Sequence, residues 1–380
     1  YGETELLEQN PDYYLYASKQ PYLVSLIISA PMLIISLLPL LFQYTPLPGL
    51  LGLEKDFTFS LLGNIKFFDF KDAGGIITGP FGIGAALLSL FFPLGIAFFF
   101  FTAYSMKTSQ LIKARDDTKE LEQEFASSLF QLGNRLGDGI PAEIAFGRVA
   151  ESLRGTKTEN FFKIVNANMN QVGMSLENSI FNPQRGAIVY YPSELVKTSM
   201  QVMLEAVKKG LQVAARALMS ISQYIKNIHK INERLQDLLA EIVSDMRSNM
   251  TFLAPVLAGI VTGLAVMITT ILNKLELMLV VEGTEGVAGI ETASQLTSMF
   301  NITTMIPPYF LQIVVGLYII EIVFILTGTL VRLESGVDKL SEKAQIAKNL
   351  KIGIILYTLV AAISITALSI LASVATGGLV

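Results

Sequence analysis

The chain has 380 residues, of which 52% are hydrophobic and 16% charged, with a mean hydropathy of +0.52 and a net charge of -4. This balance fits a membrane protein better than two or three soluble domains, and the charge provides no overall pull toward nucleic acid. With no cysteine and one histidine, His229, disulfides, thiol nucleophiles, thiolate metal sites and multi-histidine metal sites are all excluded.

The apolar residues are clumped into five segments with at most one charge each: Tyr22–Tyr44, Ile76–Met106, Thr251–Leu272, Ile302–Val331 and Ile352–Val374. Each supplies the roughly 20 residues that a bilayer core demands. Residues 1–21 read as an acidic, then tyrosine-rich tail, the end of a domain missing upstream, because the first residue is Tyr1 rather than Met. Tyr22–Tyr44 carries Pro31 and Pro39 and lacks a basic region before it, unlike a signal peptide. Residues 22–106 then hold two spans and a loop, 43–75, whose aromatic density suggests a segment lying along the outer membrane surface or a purely structural loop. The second span contains Gly79, Pro80, Gly82, Gly84, Pro93 and Gly95. Small residues permit close helix approach and prolines free carbonyls, so this span belongs inside protein.

Residues 107–250 form an island of domain size between spans two and three. A first helix, Lys107–Leu136, presents Leu111, Leu121, Phe125, Leu129, Leu132 and Leu136 on one face and ends at Gly137-Asp138-Gly139. Pro141 then suits the first turn of a new helix, with Glu143 complementing its dipole. A similar pattern, Gly173 to Glu177, returns 34 residues on as a weak repeat. Ser193 is positioned to cap the next helix. From there to Asn249 the chain has no proline, and Lys208-Lys209-Gly210 is the expected break. The remainder, with an apolar seam through Leu235, Leu239, Ile242 and Met246, predicts a long helix that protrudes or folds as a hairpin and leads into span three.

Residues 251–331 hold spans three and four around an acidic, Gly/Ser/Thr-rich loop. Span four carries Glu321, which predicts a structural partner on another span, with a proton or ion site as the alternative. Residues 332–351 read as an amphipathic loop helix, and residues 352–380 as span five. Of the 28 Lys and Arg residues, 18 lie in 105–250 and five in 331–351, while 282–301 has none. Positive flanks mark the cytoplasmic side, which places the N-terminus and residues 107–250 in the cytoplasm and the C-terminus outside a multi-pass cell membrane protein.

Chemistry-bearing motifs are scarce. The sequence has no GxxxxGK[ST], HExxH or GxSxG pattern. His229 reads as a solvated or seam-flanking side chain. Lys208, Lys209 and Arg216 could dock an acidic partner, although a solvated helix face explains them better. No enzyme activity, cofactor or metal is expected.

One resemblance emerges from the order of these pieces. SSLFQLGNRLGDGIPAEIAF, NQVGMSLENSIF, YYPSELVKTSMQVMLEAVKKG and FLAPVLAGIVTGLAVMI resemble the cytoplasmic helical domain and following span of the type II secretion F-type platform proteins, especially the archaeal branch serving archaella and type IV pili. The likeness runs from Gln123 to about Leu272. It implies an all-α polytopic protein at the base of a pilus-like filament. A hexameric secretion-type ATPase would dock beneath it, pilin-like subunits would be its cargo, and the bilayer its setting. Partner-binding positions would fall around Gly139, Pro141, Glu143, Gly173, Glu177, Lys208, Lys209 and Arg216. Family members often carry two such domains where this chain shows one, and many place an acidic residue where Lys208 and Lys209 precede Gly210. A homo-oligomer, a dimer, suits a symmetric filament base. A secondary transporter using Glu321 and a scaffold without a motor are the alternatives.

Overall fold

The computed structural model describes residues 16–46, 48–49, 56, 58–59, 65–73, 76–191, 193–282 and 305–377. The acidic part of the N-terminal tail, most of the loop after residue 282 and the last three residues lie outside the described residues. Among the described residues the fold is all-α apart from two small antiparallel hairpins, and five helical stretches are long and apolar enough to cross a membrane. Chain contacts divide the described residues into a helical unit, Thr108–Glu241 with residues 16–18, and a unit of apolar helices drawn from Lys19–Lys107 and from Ile242 onward.

In the apolar unit, α1 (Gln20–Tyr44) contains Pro31 and Pro39 without breaking. Two hairpins follow, Thr58–Phe59 with Ile65–Lys66 and Lys71–Ala73 with Ile76–Thr78. The start expected for span two at Ile76 is therefore corrected: Ile76–Thr78 is a strand, and helix begins at α2 (Ile83–Ser89) and continues as α3 (Phe91–Gly137). Gly82 and Gly84 explain the geometry. A Cβ on Gly82 would lie 2.3 Å from the Phe67 carbonyl oxygen, and one on Gly84 would lie 2.4 Å from the Phe67 ring. The aromatic loop thus closes onto the helices. The Asp56 carboxylate accepts from the backbone N–H groups of Phe68 and Asp69 at 2.8 and 2.9 Å, and Phe68 is buried with Ala85 and Tyr309. Span two is packed inside the unit as its composition requires, with Ala85, Ala86 and Ala97 fully buried.

The helical unit takes the rest of α3, then α4 (Ala142–Ser152), α5 (Lys157–Asn170), α6 (Leu176–Phe181), α7 (Ala187–Tyr190), α8 (Glu194–Lys208) and most of α9 (Leu211–Ser248). Its core contains Phe125, Leu129, Leu132, Phe146, Phe161, Phe162, Ile180 and Met200, all fully buried. Residues three and four apart on α3 share the face that meets the other helices. Polar groups pin the frame. The Glu124 carboxylate accepts from the N–H groups of Lys157 and Thr158 and so caps α5 from α3. The Ser222 hydroxyl donates to the Ala126 carbonyl at 2.6 Å, tying α9 to α3. Ser193 caps α8 as expected, its hydroxyl accepting from the Val196 N–H. Gly210, with φ +121°, breaks the long run where glycine was expected to.

After Ser248 the chain makes a π-helical segment, Asn249–Leu253, and continues as α10 (Ala254–Glu282). Then come α11 (Pro308–Ser335) and α12 (Lys339–Gly377). The helix of span four begins at Pro308, with Pro307 at its cap, because proline lacks the N–H that the first turn leaves unpaired in any case. Residues 332–351 are not a separate helix. Only Gly336–Asp338 interrupts, Gly336 at φ +73°, and the Asp338 carboxylate caps α12 by accepting from the N–H groups of Leu340 and Ser341. From Lys339 the amphipathic turns and span five form one helix. Contacts between α10 and α12 are close enough that a Cβ on Gly259 would lie 2.9 Å from the Ala361 nitrogen.

Candidate functional site

The predicted partner-binding residues form one end of the helical unit. There the turn after α3 (Gly137–Gly139), the turn between α8 and α9 (Lys208–Gly210) and the start of α6 come together. The Gln212 side chain donates to the Gly137 carbonyl at 2.7 Å, and the Glu177 carboxylate is near enough to Lys208 to raise the pKa of its ammonium. The larger cause of that shift is Glu205, which pairs with Lys208 at 2.8 Å and whose own pKa is lowered in return. Gly139, Pro141, Glu143, Gly173, Glu177, Lys208, Lys209 and Arg216 are all exposed. Gly139 (φ +81°) and Gly173 (φ +73°) sit in the left-handed region, so each can end one helix and turn the chain into the next. One detail is corrected: Pro141 stands one residue before α4, at its cap, and the helix begins at Ala142.

This end offers exposed carboxylates and ammonium groups at helix ends, with exposed Ile144, Val172 and Val213 nearby in sequence. Among the described residues no group of three His, Asp or Glu could hold a metal ion. His229 is half-buried and its Nε2 has no hydrogen-bond partner among them.

A second polar centre, missed from sequence, lies in the apolar unit at the π segment. Met250 is fully buried, and its sulfur accepts from the Thr327 hydroxyl at 3.4 Å. Asn349 donates to Thr327 at 3.1 Å and reaches the same sulfur at 3.8 Å. Alongside, Arg247 meets the Glu334 carboxylate at 3.4 Å, and Gln345 donates to its other oxygen. This centre joins the π segment to α11 and α12, and π turns recur at functional positions. The signal available beforehand was a lone Asn349 and Thr327 at the ends of apolar runs. Asn349→Leu is expected to lower stability by about 1 kcal/mol, the usual worth of a hydrogen bond between membrane helices. Thermal unfolding of the detergent-solubilised protein checks this, with Lys348→Leu, one residue away and exposed, unchanged.

Glu321 is corrected. Among the described residues it has no hydrogen-bond or ion-pair partner on another span, the structural partner expected for it, and it is exposed in the middle of α11. Gln312, missed from sequence, is 1% exposed with neither end of its amide partnered among them. The seam residues Leu235 and Ile242 are exposed, while Leu239 and Met246 are half-buried.

These helices define an all-α protein of membrane type. No family model, curated protein or solved structure matches the chain.

Proposed function

We propose that the protein is a membrane platform at the base of a pilus-like or archaellum-like machine, coupling a cytoplasmic ATPase to the extraction and assembly of pilin-like subunits. The observation that carries this reading is helix continuity. α3 runs unbroken over 47 residues from apolar span into the helical unit, and α9 returns through the π segment into α10. A continuous helix that runs from a water-facing segment into a membrane span can carry displacement along its length. On this reading residues 107–250 are cytoplasmic and the C-terminus is outside, as the distribution of Lys and Arg favours. The protein supplies no chemistry of its own. Glu321 is exposed on α11 with no partner among the described residues, so no specific observation favours the transporter alternative.

The full-length protein in detergent, mixed with a secretion-type ATPase encoded beside it, is expected to bind that ATPase. Reversing Lys208 and Lys209 to Glu is expected to weaken binding by about tenfold, because rim charges steer and register such contacts. Absence of binding by the intact membrane protein overturns the reading.

A further inference from the structure

We propose that the free middle of α9 pairs with the same stretch of a second copy of this chain, in parallel and in register, through a seam centred on Asn232. This goes beyond the ATPase reading and does not depend on it.

The argument begins with where α9 is covered and where it is not. Up to Ile225 the helix is used inside its own unit: Ala214, Ala215, Leu218, Ser222 and Ile225 are buried. From Ile228 to Leu238 that cover ends, although the apolar pattern does not, and Leu239 beyond it is half-buried. Ile228 is 39% exposed, Ile231 58%, Leu235 48% and Leu238 76%. A soluble helix seldom leaves a contiguous apolar stripe bare, so a partner is called for.

The spacing says which partner. Ile221, Ile225, Ile228, Asn232, Leu235, Leu239 and Ile242 follow one another at alternating steps of four and three, the repeat of a two-stranded coiled coil. In that repeat Ile225, Asn232 and Leu239 take the a positions, and Ile228, Leu235 and Ile242 take d. Asparagine at a single a position is the device that selects two parallel strands in one register, since only then do two amides meet each other rather than an apolar side chain. The flanks agree. Every charged residue from Lys226 to Glu241, namely Lys226, Lys230, Glu233, Arg234, Asp237 and Glu241, falls at b, c or f, away from the seam. The flanking e and g positions hold His229, Ile231, Gln236 and Leu238, so a second copy brings no like carboxylates or ammonium groups together. A charged partner would find nothing there to pair with. The free stretch is short, about 22 Å at 1.5 Å per residue, but anchoring in one membrane raises the effective concentration of two such helices.

The absence of cysteine makes the test clean. Single cysteines are placed in the full-length protein, in its native membrane, at seam positions (Ile228→Cys, Asn232→Cys, Leu235→Cys, Leu239→Cys) and at outward positions (Lys230→Cys, Asp237→Cys). Mild oxidation is expected to produce a species of twice the chain mass at the seam positions, about tenfold above the outward ones, because a disulfide needs Cα atoms within about 7 Å. Asn232→Asp added to Leu235→Cys is expected to lower the linked fraction strongly, since two carboxylates would face each other. Asn232→Val is expected to retain it. Helix content by circular dichroism confirms that each variant is folded. The proposal is overturned by equal linking around the helix, by no linking at any seam position in folded protein, or by seam cysteines that trap a species of another mass. ATPase binding by the same variants reports separately on the platform reading.

Discussion

Gly263→Leu is expected to be the most disruptive single change within the apolar helices. Gly259 and Gly263 lie one turn apart on α10 and face α12, and a Cβ on Gly263 would come within 2.5 Å of the Ser364 Cβ and 2.9 Å of the Ser364 carbonyl carbon. Without water to expel, association of apolar helices depends on close packing, which small residues provide. A branched side chain must push the two helices apart, at a cost of about 1–3 kcal/mol when repacking is possible and more when backbone is in the way, as here. The solubilised protein should unfold at a clearly lower temperature, Gly263→Ala should show a smaller loss, and Leu264→Ala, at an exposed position, should behave like the parent. Unfolding of Gly263→Leu at the parent's temperature would show that the α10–α12 contact is looser than these distances require.

Phe162→Ala is expected to damage the helical unit to a similar or greater degree. Its ring is fully buried among Phe146, at 5.4 Å between centroids, Phe161, at 5.4 Å edge to face, and Phe125, at 6.3 Å. These four rings fill the space between α3, α4 and α5, so truncation leaves a cavity that rigid helices cannot close. The expected loss is ~3–5 kcal/mol, a large part of the ~5–15 kcal/mol that holds a domain together. Protease digestion of the membrane-embedded protein, followed by the rate at which the 108–241 region is cut, measures it. Phe130→Ala provides the contrast: that ring is 43% exposed and meets only the Lys226 ammonium at 5.3 Å among its ring partners. Its loss should be about 1 kcal/mol or less. Equal digestion rates for the two variants would mean that the aromatic cluster is not the core of this unit.

Taken residue by residue, the sequence carried the local facts. Five apolar runs declare five spans because a bilayer imposes a length that chance does not supply. Gly210 declares a break and Ser193 a cap, since each acts through its own backbone or its nearest turn. The periodicity of α3 selected Leu121, Phe125, Leu129, Leu132 and Leu136, and all are buried. Span two was placed too early because Ile76–Thr78 is as apolar as the helix after it, and only pairing with Lys71–Ala73 makes it a strand.

Other properties depended on which surfaces meet, and no local pattern encodes that. α11 is apolar on every side, so nothing in its order of residues reveals that Glu321 faces outward and Gln312 inward. Met250, Thr327 and Asn349 are distant in the chain and converge only because three helices pack there. The three turns carrying Gly139, Glu177 and Lys208 form one end of a unit because α3 and α9 run antiparallel, which Gln212 and Gly137 demonstrate. The seam of α9 shows the division most clearly. Its repeat was legible in the order of side chains, since helical geometry alone puts Leu235 and Leu239 on one face. That the face is covered as far as Ile225 and bare between Ile228 and Leu238 was decided by where the other helices end, a property of the packed chain.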